Sequence, residues 1–256
     1  MKILITGGNG YVAQSIYDVL KNEHDVALIT RQDFDLTDTK STNQWFQDKH
    51  FDLLIHTAVV GGNRLNPEDE SIIKSNLQMW RNLLYNQSSF AQLIQFGSGA
   101  ELYAKDTPYG LSKSVIAESI KTKSNFTNIR IFAVFDKNEL DRRFIKANIQ
   151  RYINKESIII HQDKYMDFLY MDDLISIIKF SILHPTISPI NCCYQEKYKL
   201  SDIANIINNL STYKVPIEIH SEELASPYTG AYADLGINFI GLEEGIKKVY
   251  QHLLYE

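Results

Sequence analysis

Positive charge is not in excess in this chain of 256 residues: 26 lysines and arginines stand against 31 aspartates and glutamates, for a formal net charge of −5. That balance offers no electrostatic grip on nucleic acid or on an anionic membrane surface. Cysteine is nearly absent. The two present, Cys192 and Cys193, are adjacent. Neighbours on a strand point to opposite faces, so they read as two packed thiols rather than a disulfide, which fits a reducing, cytoplasmic setting. No apolar run is long enough to cross a bilayer; the best, residues 174–183, is interrupted by Lys179. The apolar start at Ile3 stops at glycines, so no secretory signal is expected. The seven histidines are scattered, none at metal-ligand spacing, and no metal is expected. Repeats, low-complexity tracts and linkers are also missing.

What the chain does have is alternation. Strands are expected at residues 3–6, 26–30, 51–56, 92–96 and 128–135. Helices are expected from Tyr11, over 39–50, from Pro67, and over 108–121 with Pro108 in the first turn. Strands that alternate with helices argue for a parallel sheet covered on both faces, an α/β, doubly wound fold of the Rossmann type. The second half is less regular. It reads as helices over 140–154, 172–183 and 242–254, a helix capped by Ser201 and running to Leu210, and short strands at 157–161, 191–194 and 215–219. This predicts a sheet domain from residues 1–135 plus 171–194, and a small C-terminal lobe from 136–170 plus 195–256.

The organising stretch is the first thirteen residues, MKILITGGNGYVA. A short buried strand enters a turn with Gly7, Gly8 and Gly10, and Tyr11 opens a helix. Backbone N–H groups and a helix N-terminus then face the turn, which makes a seat for a phosphate or pyrophosphate. Two frames overlap, G-x-G-x-x-[GA] from Gly8 and T-G-x-x-G-x-x-[GA] from Thr6. Gly7, Asn9, Gly10, Tyr11 and Val12 are the candidate phosphate contacts. At the end of the second strand, Arg31 offers a fork of donors to a ribose 2′-phosphate and favours NADP(H). Asp35 and Leu36 after it are also expected cofactor contacts, and Asp33 or Asp35 would argue for NAD if the turn were built differently. Small residues after the third strand, Thr57, Ala58 and Val59, let a cofactor lie against the backbone. His56 there is a base or, more simply, a structural histidine. Asn76 is a candidate for ordering backbone or water near the site, or a buried structural amide.

The fourth strand ends in Ser98-Gly99-Ala100. Tyr109 and Lys113 follow, four apart on one helix and so on one face. A free tyrosine, with a pKa of about 10, is a poor acid–base catalyst at neutral pH. An ammonium beside it favours the phenolate. In reduction such a tyrosine gives a proton to a carbonyl oxygen as hydride reaches the carbon, and Ser98 holds that oxygen.

Together these residues resemble the extended short-chain dehydrogenase/reductases of the NAD(P)-dependent epimerase/dehydratase family. The shared features are the T-G-x-x-G start, Ser98, Tyr109-x-x-x-Lys113 and the Phe168-Leu169-Tyr170-Met171-Asp172-Asp173 segment. The pattern is most similar to the GDP-L-fucose synthase branch. The resemblance implies NADPH and reduction of a nucleotide-linked 4-keto-6-deoxy sugar, with Ser98, Tyr109 and Lys113 catalytic. It also implies a homodimer built on the helices starting near Pro67 and Pro108. Ser98, Gly99, Arg142, Arg143 and Lys164 are the expected substrate contacts. That branch also epimerises, with a cysteine two residues after the serine and a later histidine. Here Ala100 and Arg143 occupy those places, so reduction without epimerisation is expected. The alternatives are an NAD-retaining 4-epimerase and a non-catalytic NADP-binding regulatory subunit.

Overall fold

A computed structural model describes residues 1–62 and 67–255. The chain divides into two compact units: Met1–Ile131 with Ile178–Ile190, and Phe132–Ile177 with the residues from Asn191 onward. These divisions differ by a few residues from those read off the sequence.

The first unit is built on a parallel sheet. Strands β1 (Lys2–Thr6), β2 (Asp25–Ile29), β3 (Phe51–His56), β4 (Phe90–Ser98), β5 (Phe126–Ile131) and β9 (Ile190–Cys192) lie in the order β2-β1-β3-β4-β5-β9. Ile5 of β1 sits beside Leu28 on one side and Ile55 on the other. Leu4 and Leu54 are fully buried in a core completed by Phe46, Trp80, Leu83, Phe90 and Phe126. Buried strands of this kind need helices on both faces. The helices are α1 (Tyr11–Leu20), α2 (Thr39–Phe46), α3 (Ser71–Tyr85), the single-turn α4 (Ala100–Tyr103) and α5 (Pro108–Ile120). Because β1 has β2 on one side and β3 on the other, the winding reverses there. Ligands of doubly wound sheets sit at the carboxyl ends of the strands at such a reversal.

Most element boundaries shift by a few residues from the sequence reading, and three differences have a visible cause. The helix expected from Pro67 begins at Ser71, because Glu68 is drawn into hydrogen bonds elsewhere in the unit. The helix expected to reach residue 50 ends at Phe46, and Asp48, in the left-handed region at φ 57°, turns the chain into β3. The single strand expected at 128–135 is two. β5 ends at Ile131, and β6 (Val134–Phe135) instead pairs with β8 (Leu169–Tyr170).

In the second unit, α6 (Phe144–Ile153), α8 (Leu200–Asn208) and α9 (Leu242–Tyr255) pack about a core containing Ile145, Ile149, Tyr152, Ile203, Ile207 and Ile246. β7 (Ile158–Ile160) pairs in parallel with β10 (Ile217–Ile219). Helix α7 (Met171–Leu183) runs across the division between the units. Ser201 is not the cap of α8. Lys199 holds that position, and the Ser201 hydroxyl donates to Asp163 at 2.7 Å. Asp173, in the segment 168–173, accepts from the backbone N–H groups of Ile240 (2.7 Å) and Gly241 (3.0 Å) and from the Tyr194 hydroxyl (2.5 Å). It fixes the approach to α9. Cys192 and Cys193 are buried and not joined in a disulfide. Among the described residues, no helix is long and apolar enough to cross a membrane.

Candidate active site

The glycine turn is dictated by crowding as much as by ligand. Gly7 has φ +79°, and a Cβ there would lie 2.8 Å from the Ala58 backbone. A Cβ on Gly8 would lie 2.9 Å from the Ile29 carbonyl oxygen, to which the Gly8 N–H donates at 2.8 Å. Only glycine permits both the positive φ and these approaches. Gly10 is the N-cap residue of α1, so the first N–H groups of that helix open toward the turn. Gln14, one turn into α1, donates from its amide to the Gly8 carbonyl and clasps the loop. Thr6 ties the strands beneath it. Its hydroxyl bonds His56 Nδ1 at 2.7 Å, and its carbonyl accepts from the Thr57 hydroxyl at 2.6 Å.

His56 is thereby settled as structural. It is buried, and burial first, then the Lys113 charge, pushes its imidazole down to about 3. It is neutral at physiological pH.

Over the ends of β1, β2 and β3 lies a cleft of about 490 Å³. Gly7, Asn9, Gly10, Arg31, Asp35, Leu36, Thr57, Ala58 and Val59 line it, and so do Gly8, Ile29, Thr30, Phe34, Val60 and Met79. Tyr11 and Val12 stand in the first turn of α1 and are not among the lining residues. Phe34 and Met79 give the cleft apolar walls that the sequence reading missed. Phe34 stacks on Trp45 at 4.7 Å between ring centroids, and nothing within residues 31–38 announces that partner.

The two carboxylates near Arg31 are already engaged. The Thr30 N–H and hydroxyl donate to Asp33 at 2.7 and 3.0 Å. The Thr37 N–H and hydroxyl both donate to Asp35 at 2.8 Å. Those backbone hydrogen bonds are the main reason both acids sit below the usual carboxylate range. Arg31 is exposed at the mouth.

The second cluster lies where β4 meets α4 and α5. Ser98, the last residue of β4, is buried, and its Oγ accepts from the Ala100 N–H at 3.2 Å. Gly99 is the N-cap residue of α4. Thr107 caps α5 by accepting from the Gly110 N–H at 3.1 Å, and Pro108 fills the first turn. This start presents Tyr109, half-buried, and Lys113, buried, on one face. Lys113 Nζ is 5.8 Å from the Tyr109 ring centroid and donates to the Phe96 carbonyl at 2.5 Å. Burial pushes the Lys113 ammonium down to about 8, against an opposing pull from Glu101.

Three supports of this cluster escaped the sequence reading or were left open by it. Glu68 accepts from the Tyr109 N–H at 3.0 Å and the Gly62 N–H at 2.9 Å, placing a carboxylate at the positive end of α5. Gly62, at φ +73°, lies against the tyrosine; a Cβ there would come within 2.9 Å of Tyr109 Cζ. Asn76 takes both alternatives offered for it: it is buried, and it orders backbone. Its Oδ1 accepts from the Val60 N–H (2.8 Å), and its Nδ2 donates to the Val60 carbonyl (2.9 Å) and the Ser112 hydroxyl (3.0 Å).

Arg142, Arg143 and Lys164 belong to the second unit. Arg142 and Arg143 are exposed just before α6. Lys164 has its Nζ over the Tyr228 ring at 5.8 Å. A profile of the NAD dependent epimerase/dehydratase family matches residues 3–193, which span the glycine turn, Ser98, Tyr109 and Lys113. The chain belongs to that family. Within this setting its sequence is 21% identical over 207 residues to CDP-abequose synthase of Yersinia pseudotuberculosis, covering 71% of this chain and 73% of the relative. The fold is similar to UDP-glucose 4-epimerase of Thermotoga maritima, solved with UDP-glucose, at TM-score 0.83, 16% identity and coverage of 100% and 99% of the two chains. It is also similar to GDP-mannoheptose C4 reductase of Campylobacter jejuni, solved with NADP, at TM-score 0.80, 18% identity and coverage of 99% and 98%. The relatives and neighbours named here include both a nucleotide-sugar epimerase and a nucleotide-sugar reductase.

Proposed function

We propose that the protein is an NADPH-dependent reductase of the C4 keto group of a nucleotide-linked 4-keto-6-deoxyhexose, acting without epimerisation. The observation that carries this reading is the buried Lys113 beside Tyr109 on the capped start of α5, with Tyr109 eleven residues after Ser98. The residues lining the cleft over β1–β3 would hold the cofactor, which would supply hydride. Tyr109 donates the proton to the C4 oxygen, Ser98 holds that oxygen, and Lys113 tunes the tyrosine and binds the cofactor ribose. NADPH rather than NADH is supported by Arg31 at the cleft mouth, with Asp33 and Asp35 held by Thr30 and Thr37. The absence of epimerisation is supported by Ala100, a buried methyl that cannot move a proton. Arg142, Arg143 and Lys164 are the cations proposed for the substrate diphosphate, and the working form is a homodimer.

The test is NADPH oxidation against UDP-, dTDP-, CDP- and GDP-linked 4-keto-6-deoxy sugars, with NMR of the product and Tyr109→Phe as the inactive control. One substrate is expected to be reduced at C4 with one NADPH consumed per sugar. Proton–deuterium exchange at C3 or C5 with enzyme alone would overturn the claim of no epimerisation. Protein that purifies with NAD bound and interconverts C4 epimers without consuming NADPH would replace the reductase by an epimerase.

A further inference from the structure

Beneath Ser98 lies a buried carboxylate that the reductase reading does not use. Glu101 is only 3% exposed. One oxygen accepts from the Ser98 N–H at 2.9 Å. The other accepts from Arg130 Nε at 2.9 Å and from Asn128 Nδ2 at 3.0 Å. The pocket for this carboxylate exists because residue 97 is glycine. A Cβ there would fall 2.2 Å from Glu101 Oε1 and 2.4 Å from Asn128 Oδ1. Burying an ion pair is a poor route to stability, since apolar side chains of the same volume do as well or better. A pair built directly under the proposed oxygen-holding serine therefore calls for another reason. We propose that Glu101 is a positioning residue of this site, which fixes the turn carrying Ser98 and supplies the counter-charge that keeps Lys113 an ammonium beside Tyr109.

Two effects are separable. Through its bond to the Ser98 N–H, Glu101 holds the β4–α4 turn in register with α5. Through its field it opposes the burial that pushes Lys113 down, since Glu101 sits on the Ser98 N–H and the Lys113 ammonium on the Phe96 carbonyl, two residues apart on β4. Removing the charge while keeping the oxygen leaves the first effect and abolishes the second. The deprotonated amine then appears at lower pH.

The experiment compares wild type with Glu101→Gln, and with Glu101→Gln/Arg130→Met, which also removes the cation that Glu101 neutralises should the single variant fail to fold. Lys113 is titrated by 13C NMR of protein labelled at lysine Cε, its signal assigned with Lys113→Met. The expected result is a midpoint lowered by about one pH unit, a tenfold change in the ammonium-to-amine ratio at fixed alkaline pH. In NADPH-oxidation assays the alkaline limb of kcat moves down with it, while KM for the sugar stays within about twofold, because Glu101 touches no ligand. A Lys113 midpoint unchanged in both variants, or a loss of rate equal at all pH values, would overturn the proposal and leave Glu101 a structural ion pair. The kinetic arm rests on the reductase reading, but the titration arm does not. Wild-type protein without activity on any 4-keto sugar would remove the reading and still let the Lys113 midpoint decide on Glu101.

Discussion

Asn76→Ala tests whether the cofactor cleft and the Tyr109 helix are held by one amide. The substitution removes three hydrogen bonds at 2.8–3.0 Å, two to the Val60 backbone and one to the Ser112 hydroxyl. Each is worth about 1 kcal/mol net, and leaving the Val60 N–H and carbonyl without their partner adds to the cost. The expected loss is about 3 kcal/mol, a large share of the roughly 5–15 kcal/mol that holds a domain folded. The chain's two tryptophans, Trp45 and Trp80, both lie in the first unit. Trp80 follows Asn76 by one turn of α3 and bonds Ser119 at 2.8 Å. Tryptophan fluorescence during urea unfolding therefore reports this unit alone. The midpoint should fall with an unchanged slope, and NADPH affinity should fall with it because Val60 lines the cleft. Asn76→Asp separates the parts. It keeps an acceptor for the Val60 N–H, loses both donors and buries a charge, so its penalty at pH 7 should match or exceed that of alanine and shrink in acid. A loss below about 1 kcal/mol for alanine would refute the idea that these bonds hold the loop.

Arg31→Ala should weaken NADPH by about ten- to a hundredfold, the worth of charge-assisted bonds to a phosphate. NADH affinity should barely change in fluorescence titration, and equal losses would remove Arg31 from the 2′-phosphate. Glu139, buried in the second unit, is pushed up to about 8 chiefly by burial. Its folded form keeps a proton that the unfolded chain releases above the ordinary glutamate value of 4.5. Its contribution is therefore fully favourable only below that value and falls as pH rises toward 8, by about 3 kcal/mol at neutral pH. Glu139→Gln should flatten this decline in pH-dependent hydrogen exchange of peptides spanning residues 136–146. An unchanged slope would show the carboxyl to be ionised in the folded state.

Much of the fold and of the candidate site was legible in the sequence because their requirements are local. A glycine turn between a strand and a helix needs residues without Cβ atoms within a few positions. Tyr109 and Lys113 share a face through helical spacing alone, and Thr107 and Pro108 start that helix where they stand. The alternation of strands and helices likewise gave the sheet, and the family's profile spans the same stretch. Reading through residue-by-residue periodicity failed where partners are distant. The helix expected from Pro67 starts later because Glu68 bonds Tyr109, 41 residues on. The strand expected at 128–135 breaks because Val134 and Phe135 pair with Leu169 and Tyr170.

The sequence by itself determined the winding of the sheet, the glycine turn and the order of Ser98, Tyr109 and Lys113, since hydrophobic period, capping and glycine placement act over one or two turns of chain. Tertiary structure alone decided the charge states and supports of the site. His56 could be a base until burial and Lys113 made it neutral. Glu101 looks like one more surface acid until Arg130, 29 residues away, closes over it. Desolvation and paired charge depend on what folds against a residue, and no window of sequence contains that neighbour.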